Sequence, residues 1–142
     1  MALFDFFRRL SFFKERDTAG MTAEDLDFKK WIQAHRDWRQ RLTNYIAGTS
    51  TEELDEETVC RDDRCALGQW IYGHGMKYYG DLTVFHDMRH HHADFHRSAG
   101  NVIRCFKSQG TQAAKRMMHQ DFDRNSFLVI SDLQSLERRI CT

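Results

Sequence analysis

Histidine and cysteine are the residues of this chain best suited to chemistry. Eight histidines and four cysteines stand against 21 basic and 21 acidic residues, a formal net charge of zero. Two pairs, His86/His90 and His92/His96, share an i,i+4 spacing. On a helix that spacing stacks two imidazoles about one turn apart, which suits shared coordination of one metal ion. The cysteines are Cys60, Cys65, Cys105 and Cys141. Cys60 and Cys65 are separated by four residues, a spacing that fits neither a zinc knuckle, nor C-x-x-C redox chemistry, nor haem attachment.

Which histidines can meet depends on the elements that carry them. The chain has no proline, where ordinary usage gives about seven in this length, and long helices gain most from that absence. Thr22 with Asp25 reads as a capping pair. Phe28, Trp31, His35, Trp38, Leu42 and Tyr45 follow in alternating steps of three and four, the seam of a bundle helix ending near Gly48. Residues 52–57 read as an acidic, solvated connection. A short helix is expected over Asp63–Tyr72, stopped by Gly73 and Gly75. A long helix from about Asp81 carries Phe85, Met88, His92, Phe95, Ala99, Val102 and Phe106, closed by Gly110. The last runs from Thr111 toward Ile140, with Ala114, Met118, Phe122, Val129, Leu133 and Leu136 inward. The expected fold is all-α, a four-helix bundle of three long helices and one short, with an extra N-terminal amphipathic helix.

Helix geometry then divides the histidines. With about 100° per residue and His92 at zero, His96 lies near +40°, and Phe85, Ala99 and Ile103 within about 20°. His86 and His90 fall near +120° and +160°, on the polar side. His35 sits in the first seam, between Trp31 and Trp38. His92, His96 and His35 thus face the core, and the other five read as surface residues. A single core histidine is usually a satisfied packing residue; three on two helices each need a partner for a desolvated ring nitrogen. Cys65, on the short helix, is the candidate fourth ligand, although taken alone it reads as a small buried hydrophobe. Three imidazoles and a thiolate would form a closed tetrahedral set that favours zinc over magnesium, calcium or manganese.

His35-x-x-Trp38, Cys65-Ala-Leu67-Gly68-Gln-Trp70 and His92-Ala-Asp-Phe95-His96, in that order, resemble the chemoreceptor zinc-binding (CZB) domain. The resemblance spans roughly residues 21–140. It implies a zinc ion held by His35, Cys65, His92 and His96 in a cytosolic, commonly dimeric four-helix bundle. Such domains usually accompany a chemotaxis receptor or a diguanylate cyclase and report on zinc or on oxidants such as hypochlorous acid. The chain leaves no room for either effector, so any output is expected to act in trans. Residues 1–20 are read as an amphipathic segment and linker, and 21–142 as the zinc-binding bundle.

Other classes fit less well. A mean hydropathy of −0.68 and the lack of a long apolar run argue against a membrane span, and Asp5, Arg8 and Arg9 interrupt any signal-peptide core. A cytoplasmic location is therefore expected. Balanced charge gives no attraction to nucleic acid. No catalytic constellation is found, so the chain is not expected to be an enzyme. Di-iron bundles need Glu-x-x-His or His-x-x-x-Glu ligand spacings, and neither occurs. A zinc buffer or delivery protein is the alternative that shares the same site. Leu3, Phe6, Phe7, Leu10 and Phe13 line one face of the N-terminal segment. Packing on the bundle, or on a second subunit of a homodimer, is favoured for them over contact of residues 3–13 with a membrane.

Overall fold

The computed structural model describes residues 26–141, which form helices and no strand. The order is α1 (Phe28–Ala47), α2 (Glu56–Val59), α3 (Ala66–Trp70), a π-helical turn (Ile71–Gly75) and α4 (Met76–Tyr79). The long α5 (Thr83–Gln109) follows, then α6 (Thr111–Met117), a second π-helical turn (Met118–Phe122) and α7 (Asp123–Ile140). The expected all-α bundle is what the chain forms. Residues 3–13 and the Thr22–Asp25 pair lie outside the described residues.

The bundle follows from the apolar seams. α1 buries Phe28, Trp31, Ile32, His35, Trp38, Leu42 and Ile46, and ends where the Gly48 and Thr49 N–H groups bond back to the Tyr45 and Asn44 carbonyls. Tyr45, expected in the seam, is half-buried and meets Phe106 edge-on, ring centroids 5.4 Å apart. α5 is the central element and packs against α1, α2, α6 and α7. The inward residues expected on the last helix, from Ala114 to Leu136, are all buried. Ala114, Met118 and Phe122 are spaced by four, which drifts off one face of an α-helix. The π-helical turn at Met118–Phe122 widens the helix there and returns them to the core.

Three local expectations change. The short helix begins at Ala66 rather than Asp63, and it does not stop at the glycines: the path bends at Gly73 (φ −114°, ψ −105°) and continues to Tyr79. Trp70 holds this segment in place, packing 4.9 Å from Trp31, 5.8 Å from Phe85 and 5.9 Å from Tyr79 between centroids. The long helix expected from about Asp81 starts at Thr83. The 52–57 stretch is more than a solvated connection, because Leu54 is buried and Asp55 caps α2 through the Thr58 N–H.

Leu133 is fully buried on α7, whereas Phe127 on the same helix is 70% exposed. Leu133→Ala is expected to cost about 2–5 kcal/mol, and Phe127→Ala within about 0.5 kcal/mol, measured by urea denaturation.

Candidate metal centre

Three elements bring the candidate residues together. His35 lies midway along α1, His92 and His96 lie one turn apart on α5, and Cys65 caps the N-terminus of α3. The Cys65 sulfur is 3.3 Å from His92 Nε2, 3.6 Å from His96 Nε2 and 3.9 Å from His35 Nε2. His92 and His96 Nε2 are 3.1 Å apart. One ligand atom from each of the four residues lies within 4.8 Å of all the others. The imidazoles are buried, with at most 3% exposure, and Cys65 is half-buried at the edge.

Backbone carbonyls aim two of the rings. His35 Nδ1 donates to the Trp31 carbonyl at 2.7 Å, one turn back on its own helix. His96 Nδ1 donates to the Val59 carbonyl at 3.0 Å, across to α2. Those bonds fix the protons on Nδ1 and leave the Nε2 lone pairs facing the cluster. His92 Nδ1 has no hydrogen-bond partner among the described residues. Neither Asp37 nor Asp94 accepts from it. Asp94 instead pairs with His90 and Arg97, and Asp37 accepts from Gln33. No sequence signal marks Val59, because any residue supplies a carbonyl.

Cys65 is held from the other side. The Gly68 N–H donates to its sulfur at 3.4 Å. Gly68 can sit there because it lacks a side chain: a Cβ would come within 1.9 Å of the Asp62 carbonyl oxygen. A cleft of about 590 Å³ reaches the cluster here, and of the four residues only Cys65 and His96 line it. Trp38, Leu54 and Val59 give it apolar walls, with Arg41 and Arg64 among its charged groups.

Burial sets the protonation of the cluster. Desolvation pushes the His35 pKa down to about 4, against the raising effect of the Trp31 carbonyl. His92 falls well below the usual imidazole value, by burial and then by the charges His96 and His35 would carry. Burial lowers His96 against the Val59 carbonyl. The same desolvation raises the Cys65 thiol, against the N–H groups of Gly68 and Leu67.

A metal ion fits this set. With His35 and His96 protonated on Nδ1, the thiol and His92 can supply at most two protons among four converging atoms. A tetrahedral zinc ion at ordinary bond lengths requires N···N edges of about 3.3 Å and S···N edges of about 3.6 Å, close to the 3.1 Å and the 3.3–3.9 Å found. No carboxylate among the described residues joins the group. His86, His90 and His119 are exposed as expected. His91, read as solvated, is instead half-buried and paired with Asp132 on α7. His74 is half-buried, its ring centroid 4.2 Å from that of Tyr78.

Fold and cluster together define a helical bundle built around three histidines and one cysteine. Residues 35–103 match the family model described as the chemoreceptor zinc-binding domain. The chain is similar to that family over this stretch, which contains all four residues. No curated protein and no solved structure matches the chain. No described helix is long and apolar enough to cross a membrane.

The pKa shifts fix two pH dependences. In the metal-free chain, imidazoles held neutral below their unfolded value of about 6.5 leave the unfolded state with more bound protons. Stability should therefore fall as pH drops from about 6.5 toward 4, and, through the raised Cys65 thiol, fall again as pH rises past about 9. Urea midpoints across that range check both limbs. Zinc added at pH 7 should displace about one proton, from Cys65 alone, because the imidazoles are already neutral. Titration calorimetry in buffers of different ionisation enthalpy reads that number directly.

Proposed function

We propose that the chain is a zinc-binding regulatory module rather than an enzyme, with Zn²⁺ held by His35, Cys65, His92 and His96. The convergence of three imidazole nitrogens and one sulfur, inside a stretch matching a zinc-binding family, carries this reading. Its input is zinc availability or oxidation of Cys65, and its output acts in trans on a partner such as a chemoreceptor or a diguanylate cyclase. A homodimer in the cytoplasm is the working form.

Zinc bound there would hold the sulfur as thiolate at neutral pH. The cleft leaves that sulfur open to small molecules on the side away from His35 and His92. A sulfur lone pair attacks the chlorine of hypochlorous acid and water completes the exchange. The net reaction is Cys–S⁻ + HOCl → Cys–SOH + Cl⁻. Sulfur is oxidised by two electrons and chlorine reduced to chloride. The sulfenic acid is a weaker ligand, so zinc affinity falls.

Metal analysis of the full chain tests the site. One zinc per chain is expected, and Cys65→Ala should weaken binding at least about tenfold. Unchanged stoichiometry and affinity in that variant would remove Cys65 from the ligand set. Titration with hypochlorous acid, followed by peptide mass spectrometry, tests the input. Modification of Cys105 or Cys141 ahead of Cys65 overturns the oxidant reading and leaves zinc availability as the signal.

A further inference from the structure

His96 gets its orientation from an element with little stability of its own. α2 has four residues, well below the length at which a helix holds itself in water. Four contacts keep it in place. Asp55 caps it, Glu56 pairs with Lys107 at 2.9 Å, Val59 is buried, and Cys60 rests on α5 at Gly100. The last is the closest. A Cβ at position 100 would come within 2.8 Å of Cys60 Cβ and 3.1 Å of the Glu56 carbonyl oxygen. Both of those neighbours belong to α2 or its cap, so a larger residue must push α2 outward as a unit. Val59 lies between them in sequence, and its carbonyl is the acceptor for His96 Nδ1.

We propose that Gly100 is a positioning residue of the metal centre. By letting α2 lie directly on α5, it brings the Val59 carbonyl to His96 Nδ1 and so keeps Nε2 of that ring turned toward the ion. Gly100 is one helical turn beyond His96, so the same helix supplies both the ligand and the seat for the element that orients it. This rests on the zinc reading above. His35 provides an internal control, since its carbonyl comes from Trp31 on its own helix and owes nothing to α2.

The test is nitrogen-resolved NMR of the histidine rings in the zinc-loaded full chain, together with zinc affinity. In the wild type, His35 and His96 should both show slowly exchanging Nδ1–H protons. In Gly100→Ala the His96 proton should exchange at least about tenfold faster, and zinc affinity should fall about tenfold, while the His35 proton is unchanged. Cys60→Gly in that background removes the colliding Cβ and should recover most of both losses. An unchanged His96 proton and affinity in Gly100→Ala, or a wild-type His96 protonated on Nε2, overturns the proposal. Should Gly100→Ala lose its helical circular dichroism, Lys107→Ala takes its place, loosening α2 from outside the core. Faster exchange at His96 alone then supports the proposal, and equal exchange at His96 and His35 overturns it. A wild type that binds no zinc overturns the zinc reading instead, and the same two protons are then compared in the metal-free chain.

Discussion

Four ligand atoms facing one another in a nearly dry interior are the constraint around which this bundle is arranged. Each imidazole loses its water on folding, and an unpaired polar nitrogen in such a place costs about 1–3 kcal/mol. Two of the rings have committed their protons to carbonyls, so at most two protons remain for four converging atoms, and a proton placed on His92 Nε2 leaves its buried Nδ1 as an unpartnered acceptor. A cation removes the conflict in one step. The free energy of binding it is then also free energy of folding, since the unfolded chain offers no assembled site. His35, Cys65 and the His92/His96 pair come from three elements, so an ion held by them ties α1, α3 and α5 together.

The supports around the cluster differ in kind. His35 is oriented within a single helix, an arrangement that persists as long as α1 does. His96 depends on α2, and Cys65 on the turn at Asp62–Arg64 and on the close seat of Gly68. The second group relies on short elements docked through glycines, and these are also the elements beside the cleft. The site therefore has a rigid half, built from the two long helices, and a half that depends on tertiary contacts. Local opening is cheapest where few buried contacts hold an element, and of the two halves that is the Cys65 and His96 side.

Much of this was legible in the sequence, and the remainder was missed for physical reasons. The seams of α1 and α5 are long and strictly periodic, so helical rotation alone turned His35, His92 and His96 inward and left His86 and His90 outside. Short segments carry too few periods for that argument. Asp63–Tyr72 was misplaced because Gly73 and Gly75 resemble a stop. With Trp70 wedged among Trp31, Phe85 and Tyr79, they act as a bend instead. α2 was hidden in an acidic run because its stability comes from Asp55, Lys107 and Gly100, contacts that span up to about fifty residues of sequence. His91 was assigned to solvent from its own helix, but Asp132 reaches it from a different one.

The difference between Cys65 and the histidines bears on what such a centre can do. A fully buried set of four ligands would hold zinc as a static structural element, out of reach of any reagent. A fully exposed set would compete poorly with water and with cellular ligands. Here the three imidazoles are buried, and the half-buried Cys65, with His96 beside it, lines a cleft with apolar walls. The thiol also carries the larger energetic burden of binding, because it alone must lose a proton that burial makes harder to remove. The one ligand that must ionise to bind a metal is thus also one that lines the cleft. With zinc bound, His35 and His92 would be the sheltered ligands, and Cys65 and His96 the two that reach the cleft.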